Sequence, residues 1–403
     1  MRKANIRVET INSTTTKSAK DRIIADLQCG HPLTRLLYVT PEFCQMDYFR
    51  RILRVIHSQR ELARIAIDEA HCISEWGHDF RPAFKALSFF KTEFPDVPMM
   101  CLTATATARV RDDIIETLGL DLTKIKMFRM TTGRPNLHYE VRFKSDEEDH
   151  YPNFLHWLKT VHARRTANPD RASQLTSQNQ RTDNVPGIIY TLFRKDCESL
   201  AARLRADGIG AKPYHAGLPH TERAEALSNW VANVPGYDVI VATTAFGMGI
   251  DKENVRFVVH WQIPKSLEGF YQEAGRAGRD GKASVCMLYY GREDRDRAAS
   301  MMTRDQARLP TKGQGVAAQQ QQMLHRGMSL KALVEYCEKT DGCRHRAIAK
   351  YFGDEEIPPC DFACDWCKDA KALVERKERG LVSEEVYSTQ REMGKYDIDP
   401  YDY

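Results

Sequence analysis

IAIDEAHCISEWGHDFRP, residues 65–82, joins the end of an apolar strand to a pair of carboxylates and an aromatic loop. Residues 65–67 are typical of a buried parallel strand, and Asp68 and Glu69 follow at its carboxyl edge. Ligands of α/β sheets bind at that edge. In nucleoside-triphosphate hydrolases an aspartate there holds Mg²⁺ on the phosphates, and a neighbouring carboxylate polarises the attacking water. We therefore predict that Asp68 holds a metal and that Glu69 is the catalytic base; the alternative is a solvated turn.

The loop behind the carboxylates carries two aromatic rings and a cation. Trp76, Phe80 and Arg81 lie within six residues of one another. Aromatic side chains stack on exposed bases, and a guanidinium attracts phosphates. We therefore predict that this loop contacts single-stranded nucleic acid.

The composition limits the class of protein without identifying it. A chain of 403 residues is long enough for two or three domains. Lys and Arg total 59 against 55 Asp and Glu, and a formal charge of +4 is too small to indicate nucleic-acid binding by itself. There is no run of about 18 apolar residues and no signal-peptide core at the start, so we expect an intracellular protein without a membrane span.

Two stretches of the opening segment resemble the RecQ family of superfamily 2 DNA helicases. Residues 68–71, DEAH, resemble its Walker B box, and residues 76–81, WGHDFR, resemble its aromatic-rich loop. The resemblance implies an α/β fold with two RecA-like parallel-sheet lobes followed by a small helical zinc-binding module. It also implies a 3′ to 5′ DNA helicase of repair and recombination in the nucleus. Its cofactors would be ATP, Mg²⁺ and Zn²⁺, and its partner would be single-stranded or forked DNA.

Two further short motifs in the first lobe resemble conserved helicase motifs of this family. Thr40-Pro41-Glu42 follows the apolar strand 36–39, and the resemblance implies that these three residues grip the DNA backbone. A proline at a strand-to-helix junction also initiates helices, which is the simpler interpretation.

The second word, Thr103-Ala104-Thr105, follows the strand 99–102. The resemblance assigns Thr103, Thr105 and His71 to the coupling between nucleotide state and lobe movement. Thr105 or Thr107 would also serve as an ordinary N-cap of the following helix.

In the second lobe, a glycine-containing loop follows the buried strand 239–242. Gly247 and Gly249 allow close approach of a ligand to the backbone, and Asp251 offers an acceptor to a ribose hydroxyl or to an arginine. A lone Gly-x-Gly is a weak signal, so the nucleotide-binding role of Gly249 and Asp251 depends on the family resemblance.

The word QEAGRAGRDG, residues 272–281, matches the last helicase box of the family. Arg276 and Arg279 lie three positions apart, which places both guanidiniums on one side of a helical turn. The resemblance implies that Arg279 is the arginine finger and that Gln272 and Arg276 also bind nucleotide. The alternative is a pair of ordinary surface arginines.

Four cysteines near the carboxyl end have the spacing of a structural zinc site. They are Cys343, Cys360, Cys364 and Cys367. RecQ proteins carry a similar four-cysteine site beyond their motor, although the close trio here is spaced slightly more widely than in the bacterial pattern. Cys337 or His345 remains an alternative to Cys343, and four free thiols remain the alternative to a metal site.

We predict four regions along the chain. The segment 163–185 has almost no apolar content, which favours an exposed loop or disordered insertion. The regions are a partial first lobe (1–134), a second lobe containing that polar insertion (135–292), the zinc-binding module (293–370) and a charged mobile tail (371–403).

One expected motif does not occur. Motors of this class cradle phosphates with the word G-x-x-x-x-G-K-[ST], and the 403 residues contain no such word. We therefore expect an incomplete first lobe, either in a fragment of an active helicase or in a relative that binds nucleic acid without hydrolysis. A third interpretation, an RNA-directed DEAH-box enzyme, is weakened by the aromatic loop and the four cysteines.

Overall fold

A computed structural model of the protein describes residues 5–74, 80–145, 148–167, 169–177, 180–247, 250–307, 316–356, 359–361 and 363–381. The chain divides into a first unit, of residues 1–130 and 312–325, and a second unit, of residues 131–311 and 326–403. The residues predicted to form the zinc-binding module therefore fall almost entirely in the same unit as the second lobe. None of the helices in the described ranges is long and apolar enough to cross a membrane.

The described residues of the first unit form four short strands, which pair into two separate two-stranded parallel sheets, β1 with β2 and β3 with β4. Single 3₁₀ turns cover Ala70–Ile73 and Ala86–Ser88. The other elements are β1 (Val8–Ile11), α1 (Lys17–Leu27), β2 (Leu36–Val39), α2 (Pro41–Cys44), α3 (Asp47–Ser58), β3 (Ile65–Ile67), α4 (Pro82–Lys85), α5 (Phe89–Glu93), β4 (Met99–Cys101) and α6 (Ala108–Thr117).

Helix α3 shows why the first unit has a core of its own. Its buried residues, Phe49, Ile52, Leu53 and Ile56, recur at helical spacing and form a single apolar face. This face belongs to one cluster with the buried residues of α1 and of strand β3. Strand β3, which directly precedes Asp68 and Glu69, is therefore held in place by packing in the same cluster as α1 and α3.

The second unit is built on one six-stranded parallel sheet, with the strand order β5-β10-β9-β6-β8-β7. Its first ten elements are β5 (Leu137–Phe143), α7 (Tyr151–Ala167), α8 (Pro169–Ser177), β6 (Gly187–Tyr190), α9 (Arg194–Ala206), β7 (Ala211–Tyr214), α10 (His220–Val231), β8 (Val239–Ala242), β9 (Phe257–His260) and α11 (Leu267–Ala274). The remaining elements are β10 (Ser284–Tyr290), α12 (Arg292–Ala307), the part of α13 (Val316–Glu338) from Arg326 onward, α14 (Arg344–Phe352), α15 (Asp365–Lys368) and α16 (Ala370–Leu381).

The central strands β6, β8 and β9 are buried at every position. Continuous apolar runs such as Val-Ile-Val-Ala are typical of parallel strands covered on both faces. Separate apolar clusters lie on the two faces of this sheet. The predicted α/β class with a parallel sheet is therefore confirmed.

The prediction of a loop over residues 163–185 is wrong for most of that segment. Helix α7 continues through Ala167, and α8 covers Pro169–Ser177. The segment is rich in Arg, Ala and Gln, which have good helix propensity although they contribute little to a core. Leu175 and Arg165 are among its buried side chains, and Arg165 Nη2 donates to the Arg181 carbonyl within the segment at 3.4 Å.

The prediction of a mobile tail from residue 371 is wrong for its first eleven residues. Helix α16 reaches Leu381, and Leu373 and Leu381 are buried. These leucines lie eight positions apart on one helical face, a spacing that charged neighbours obscure in the sequence. Residues 382–403 lie outside the described ranges.

A substitution at Gly187 tests how closely the central sheet is packed. A Cβ atom at this position would lie 2.0 Å from the Phe257 ring. We expect Gly187→Ala to lower the free energy of unfolding by about 1–3 kcal/mol, because the core must shift to accept the methyl group. Urea unfolding followed by circular dichroism measures the change.

Gly217→Ala is the matched control for this experiment. Gly217 is exposed, and its added Cβ would meet only the side chains of His215 and Arg194 at 3.2 Å or more. An equal loss of stability in the two variants would contradict the role assigned to the contact with Phe257.

Candidate functional site

Asp68 and Glu69 lie where strand β3 ends, as the sequence predicts for a nucleotide site. The Asp68 side chain is exposed, and its Oδ1 accepts from the Glu69 amide at 2.9 Å. Among the described residues Asp68 Oδ2 has no hydrogen-bond partner, so it is able to reach a cation. Glu69 has a φ of 51°, a left-handed conformation that is rare outside glycine and is found at functional turns.

His71 connects Glu69 to the Thr-Ala-Thr segment. Its ring is buried, and Nδ1 lies 3.1 Å from Thr103 Oγ1 and 3.4 Å from Glu69 Oε2. Nδ1 therefore lies against both a hydroxyl and a carboxylate oxygen, and a hydrogen bond joins it to Thr103. The structure thus brings together three residues that lie up to 34 positions apart in the sequence.

Thr105 is hydrogen-bonded to Thr103, which contacts His71. Its amide donates to Thr103 Oγ1 at 3.2 Å, and its own hydroxyl is buried without a partner among the described residues. The N-cap of α6 is Thr107, which accepts from the Val110 amide. Of the two residues that the sequence offered as N-cap, the structure therefore uses Thr107.

The aromatic loop is anchored next to the same site, although Trp76 lies outside the described residues. Phe80 is half-buried, and the Arg81 amide donates to the Cys72 carbonyl at 3.0 Å. Cys72 follows His71 directly in the 3₁₀ turn. The two ends of the loop therefore meet at the turn that holds the proposed catalytic residues.

Thr40, Pro41 and Glu42 occupy the start of α2. Thr40 is the N-cap and accepts from the Phe43 amide at 3.4 Å, and Pro41 stands in the first turn. The helix-initiation interpretation is therefore confirmed, and the exposed Glu42 side chain stays available for contacts outside the helix. Gln45 joins this helix to α4 by donating to the Ala83 carbonyl at 3.0 Å.

Arg276 and Arg279 both contact the loop after strand β8, but in different environments. Arg276 is buried and donates from Nη1 to the Gly247 carbonyl at 2.5 Å. The side chain of Arg279 is 38% exposed, and its Nη1 donates to the Ile250 carbonyl at 2.8 Å. Burial lowers the pKa of Arg279 from its usual value, and the neighbouring charge of Arg276 acts in the same direction.

The other predicted nucleotide contacts are distributed around these arginines. Asp251 is almost fully exposed, and its carboxylate lies 3.9 Å from Arg279 Nη1. Gln272 is half-buried near the end of α11. Gly249 lies outside the described residues.

Sequence reasoning missed two residues that hold the arginine-bearing loop. Arg134 Nη2 donates to the carbonyls of Ala277 and Gly278, each at 3.0 Å, and Asn136 Nδ2 donates to those of Gly278 and Lys282. Gly278 has a φ of 56°, and a Cβ there would lie 2.5 Å from Asn136 Nδ2. In the sequence, the feature that could have indicated this role is the pair of polar residues on either side of Pro135. Taken alone, this pair predicts only a loop.

The four predicted zinc ligands come together. The sulfur atoms of Cys343, Cys360, Cys364 and Cys367 lie within 4.8 Å of one another, and those of Cys343 and Cys364 are 3.9 Å apart. A tetrahedral zinc site with Zn–S bonds of about 2.3 Å requires sulfurs roughly 3.8 Å apart, so the donor set fits this metal. Burial raises the pKa of the Cys360 thiol to about 12.

The structure resolves which residue supplies the fourth sulfur. Cys337 is fully buried in the apolar core, away from the cluster. His345 directs Nε2 at the carbonyls of Leu137 and Ala363, each 3.1 Å away. Both alternatives to Cys343 are therefore occupied with other contacts.

A buried ion pair attaches the zinc cluster to the sheet. Arg344 and Asp365 each have 1% side-chain exposure, and Arg344 Nε donates to Asp365 Oδ1 at 2.9 Å. Asp365 Oδ2 also accepts from the Val141 amide of edge strand β5 at 3.0 Å. The Tyr139 amide of the same strand donates to the Ala363 carbonyl at 3.1 Å.

Three family models match the chain. The DEAD/DEAH box helicase model matches residues 1–114, the helicase conserved C-terminal domain matches 168–281, and the RecQ zinc-binding model matches 292–368. Together they cover the candidate nucleotide residues of both units and the four cysteines.

Curated relatives match most of this chain. The chain is 39% identical over 376 residues to ATP-dependent DNA helicase Q5 of Mus musculus, covering 92% of this chain and 36% of that protein. It is 38% identical over 361 residues to RecQ-like DNA helicase BLM of Xenopus laevis, covering 88% of this chain and 24% of that protein. The chain thus spans about a third or less of the length of these two relatives.

A solved structure supports the fold. S. cerevisiae Dbp5 bound to RNA and ADP BeF3 aligns with a TM-score of 0.50 at 16% identity, covering 92% of this chain and 74% of that chain. At this identity the likeness concerns the fold alone, which is RecA-like and helicase-like.

Replacing one cysteine tests the assignment of the zinc ligands. We expect Cys343→Ala to lose bound zinc and to lower the melting temperature, because three thiolates do not complete a structural tetrahedral site. Metal analysis of the purified protein measures the zinc content. The matched control is Cys337→Ala, which we expect to keep a full complement of zinc; loss of zinc in the control alone would reverse the assignment.

A double-mutant cycle tests the buried ion pair. Arg344→Met leaves Asp365 buried without its charged partner, and we expect a loss of about 3–5 kcal/mol in the free energy of unfolding. The double variant Arg344→Met/Asp365→Leu removes both charges, so we expect it to recover much of that loss. Urea unfolding of the wild type, of Arg344→Met, of Asp365→Leu and of the double variant gives the coupling free energy, and additive losses would contradict a direct interaction.

Proposed function

Because the chain belongs to the RecQ family of superfamily 2 helicases, we propose that it acts as an ATP-dependent DNA helicase. The proposal extends to 3′ to 5′ movement on single-stranded or forked DNA during repair and recombination in the nucleus, by family resemblance. In this proposal, ATP hydrolysis by the residues at the end of β3 drives the movement along DNA.

The contact of His71 with both Glu69 and Thr103 carries this proposal. A general base must be held in one orientation to activate water. The buried imidazole lies beside the Glu69 carboxylate, while Thr103, two residues beyond the end of β4, is hydrogen-bonded to the same ring nitrogen. Any shift of the Thr-Ala-Thr segment would therefore change the position and basicity of the proposed base.

Each unit contributes charged groups suited to phosphate chemistry. Asp68 offers a carboxylate oxygen to a cation, and Mg²⁺ bound with ATP would neutralise charge on the phosphates. Arg279 combines partial exposure with a fixed guanidinium, which suits an arginine that stabilises phosphoryl charge. Arg276 is held by Gly247, so we assign it to positioning the neighbouring loop.

The anchoring of the aromatic loop supports a link to DNA. Its two ends meet through the hydrogen bond between Arg81 and Cys72, one residue beyond His71. Bases stacking on Phe80 and Trp76, with phosphates near Arg81, would thus act on the turn that holds the base. Helix α2, with Thr40, is joined to the helix that follows Arg81 and is proposed to contact the DNA backbone.

A second candidate function is binding of nucleic acid without hydrolysis. The observation that favours it is the anchoring of the aromatic loop by the hydrogen bond between the Arg81 amide and the Cys72 carbonyl, which involves no nucleotide. Under this hypothesis the aromatic loop and the zinc cluster would bind nucleic acid while Glu69 would have no substrate to act on.

ATP hydrolysis with and without single-stranded DNA separates the two candidates. The helicase proposal predicts DNA-stimulated turnover that falls about 100-fold or more in Glu69→Gln, because the amide no longer accepts a proton. The matched control is Glu116→Gln on α6, an exposed glutamate that we expect to leave turnover unchanged. DNA binding without turnover would favour the second candidate, and turnover that survives in Glu69→Gln would exclude Glu69 as the base.

A further inference from the structure

A cavity of about 500 Å³ lies beside the four-cysteine cluster. Cys343, Cys360 and Cys367 belong to its wall, whereas Cys364 is fully buried and does not. A zinc ion with bonds of about 2.3 Å to sulfur fills only a small part of such a volume. The cavity therefore has room for a further small molecule in contact with the sulfur-bearing residues.

The wall of this cavity has an excess of positive charge. Its charged residues are three cations and one anion, namely Lys339, Arg346, Lys350 and Asp341. Lys339 lies 3.5 Å from Asp341, so that pair is close to neutral. Arg346 and Lys350 are exposed, and neither has an ion-pair partner among the described residues. Two uncompensated cations favour a ligand that carries carboxylates or other anionic groups.

Helix α14 places these two cations in line with one of the cysteines. Cys343 is the N-cap of α14, and Arg346 and Lys350 follow three and seven positions later. Residues at this spacing lie on one face of a helix. An anionic ligand that pairs with Arg346 and Lys350 therefore lies beside Cys343, which is only partly buried.

The sulfur atoms distinguish this cavity from an ordinary anion site. Recognition of phosphate or carboxylate needs cations and N–H groups, and a wall of thiolates weakens it. A cysteine that binds zinc is a thiolate, and thiolates attack disulfides. A wall that combines thiolates with unpaired cations thus suits a ligand that is anionic and also reacts with sulfur. Such a ligand is a small disulfide whose two halves carry carboxylates.

We propose that this cavity binds a small anionic disulfide and that Cys343 is the residue modified by it. Arg346 and Lys350 pair with the carboxylates of the ligand. Cys343 Sγ attacks one sulfur of the ligand, whose S–S bond breaks. A new S–S bond joins Cys343 to one half, and the other half leaves as a thiolate. One disulfide is exchanged for another, so the step needs no further oxidant.

The modification has a consequence for the metal site. In the mixed disulfide Cys343 no longer offers a thiolate, and three thiolates do not complete a structural tetrahedral zinc site. The cluster therefore releases its zinc when Cys343 is modified. The inference does not depend on whether the chain hydrolyses ATP.

Zinc release from the full, zinc-loaded chain tests this inference. The probes are oxidised glutathione, which carries carboxylates on both halves, and cystamine, which carries only ammonium groups. A chromogenic chelator measures the zinc released, and mass spectrometry locates the modified cysteines. Cys29, an exposed thiol of the first unit, gives the intrinsic reactivity of each disulfide in the same sample.

We expect Cys343 to prefer the anionic disulfide. Relative to Cys29, it should react at least about tenfold faster with oxidised glutathione than with cystamine, because the cations of the wall attract the carboxylates. Zinc release should follow the modification of Cys343. Added salt should reduce the preference, since it screens the attraction.

A charge reversal tests whether the two cations select the ligand. In Arg346→Glu/Lys350→Glu the preference for oxidised glutathione should fall at least about tenfold, because the wall now attracts cystamine. Lys331→Glu, an exposed reversal on α13 outside the cavity wall, should keep the preference. Both disulfides are compared on the same variant, so a general loosening of the fold leaves the ratio of the two rates unchanged.

Three outcomes would overturn the inference. The first is modification of Cys29 by oxidised glutathione while Cys343 stays unmodified and zinc is retained. The second is a preference at Cys343 that survives in Arg346→Glu/Lys350→Glu. The third is no preference at Cys343 in the unaltered chain, together with weaker binding of a single-stranded oligonucleotide by the double variant, which would identify nucleic acid as the ligand of these cations.

Discussion

The buried pair of Arg344 and Asp365 is the interaction on which the second unit depends. Two charges removed from water are stable only when hydrogen bonds satisfy both. Asp365 accepts from Arg344, from the Trp366 amide at 2.7 Å and from the Val141 amide at 3.0 Å, which places one carboxylate at the junction of α14, the zinc knuckle and the sheet. The orientation of α14 follows from it, since a helix that turns Arg344 inward presents Arg346 and Lys350 outward.

The same junction also pairs part of the exposed edge of the sheet. Strand β5 is at the edge, where unpaired amides favour association with other chains. The Tyr139 amide is instead paired with the Ala363 carbonyl, and α16 packs along the strand so closely that a Cβ on Gly380 would lie 2.5 Å from Phe143. The zinc-binding residues therefore complete the fold of the second unit, which explains why they belong to one compact body with the sheet.

The sequence alone was sufficient wherever a local pattern had a single physical cause. Apolar runs predicted the positions of the strands, and Asp68, Glu69 and Thr103 lie after strand ends as the sequence predicts. Cysteine spacing identified the four ligands but left Cys337 and His345 open as alternatives to Cys343, because only the positions of the side chains in space exclude them. Helix α8 was missed because it has few apolar residues, and α16 because charged residues separate its two buried leucines; tertiary contacts of their buried side chains stabilise both.

Tertiary contact also decides what otherwise similar residues do. Arg276 and Arg279 belong to the same repeated word, yet Arg276 is buried on the Gly247 carbonyl while Arg279 keeps much of its surface. Arg134 adds a second constraint by holding the backbone between them at Ala277 and Gly278. The loop after β8 therefore accepts hydrogen bonds from Arg276 and Arg279, and the backbone between these two arginines accepts hydrogen bonds from Arg134. A force on Arg279 would move them together, because neither loop yields without breaking hydrogen bonds to backbone carbonyls.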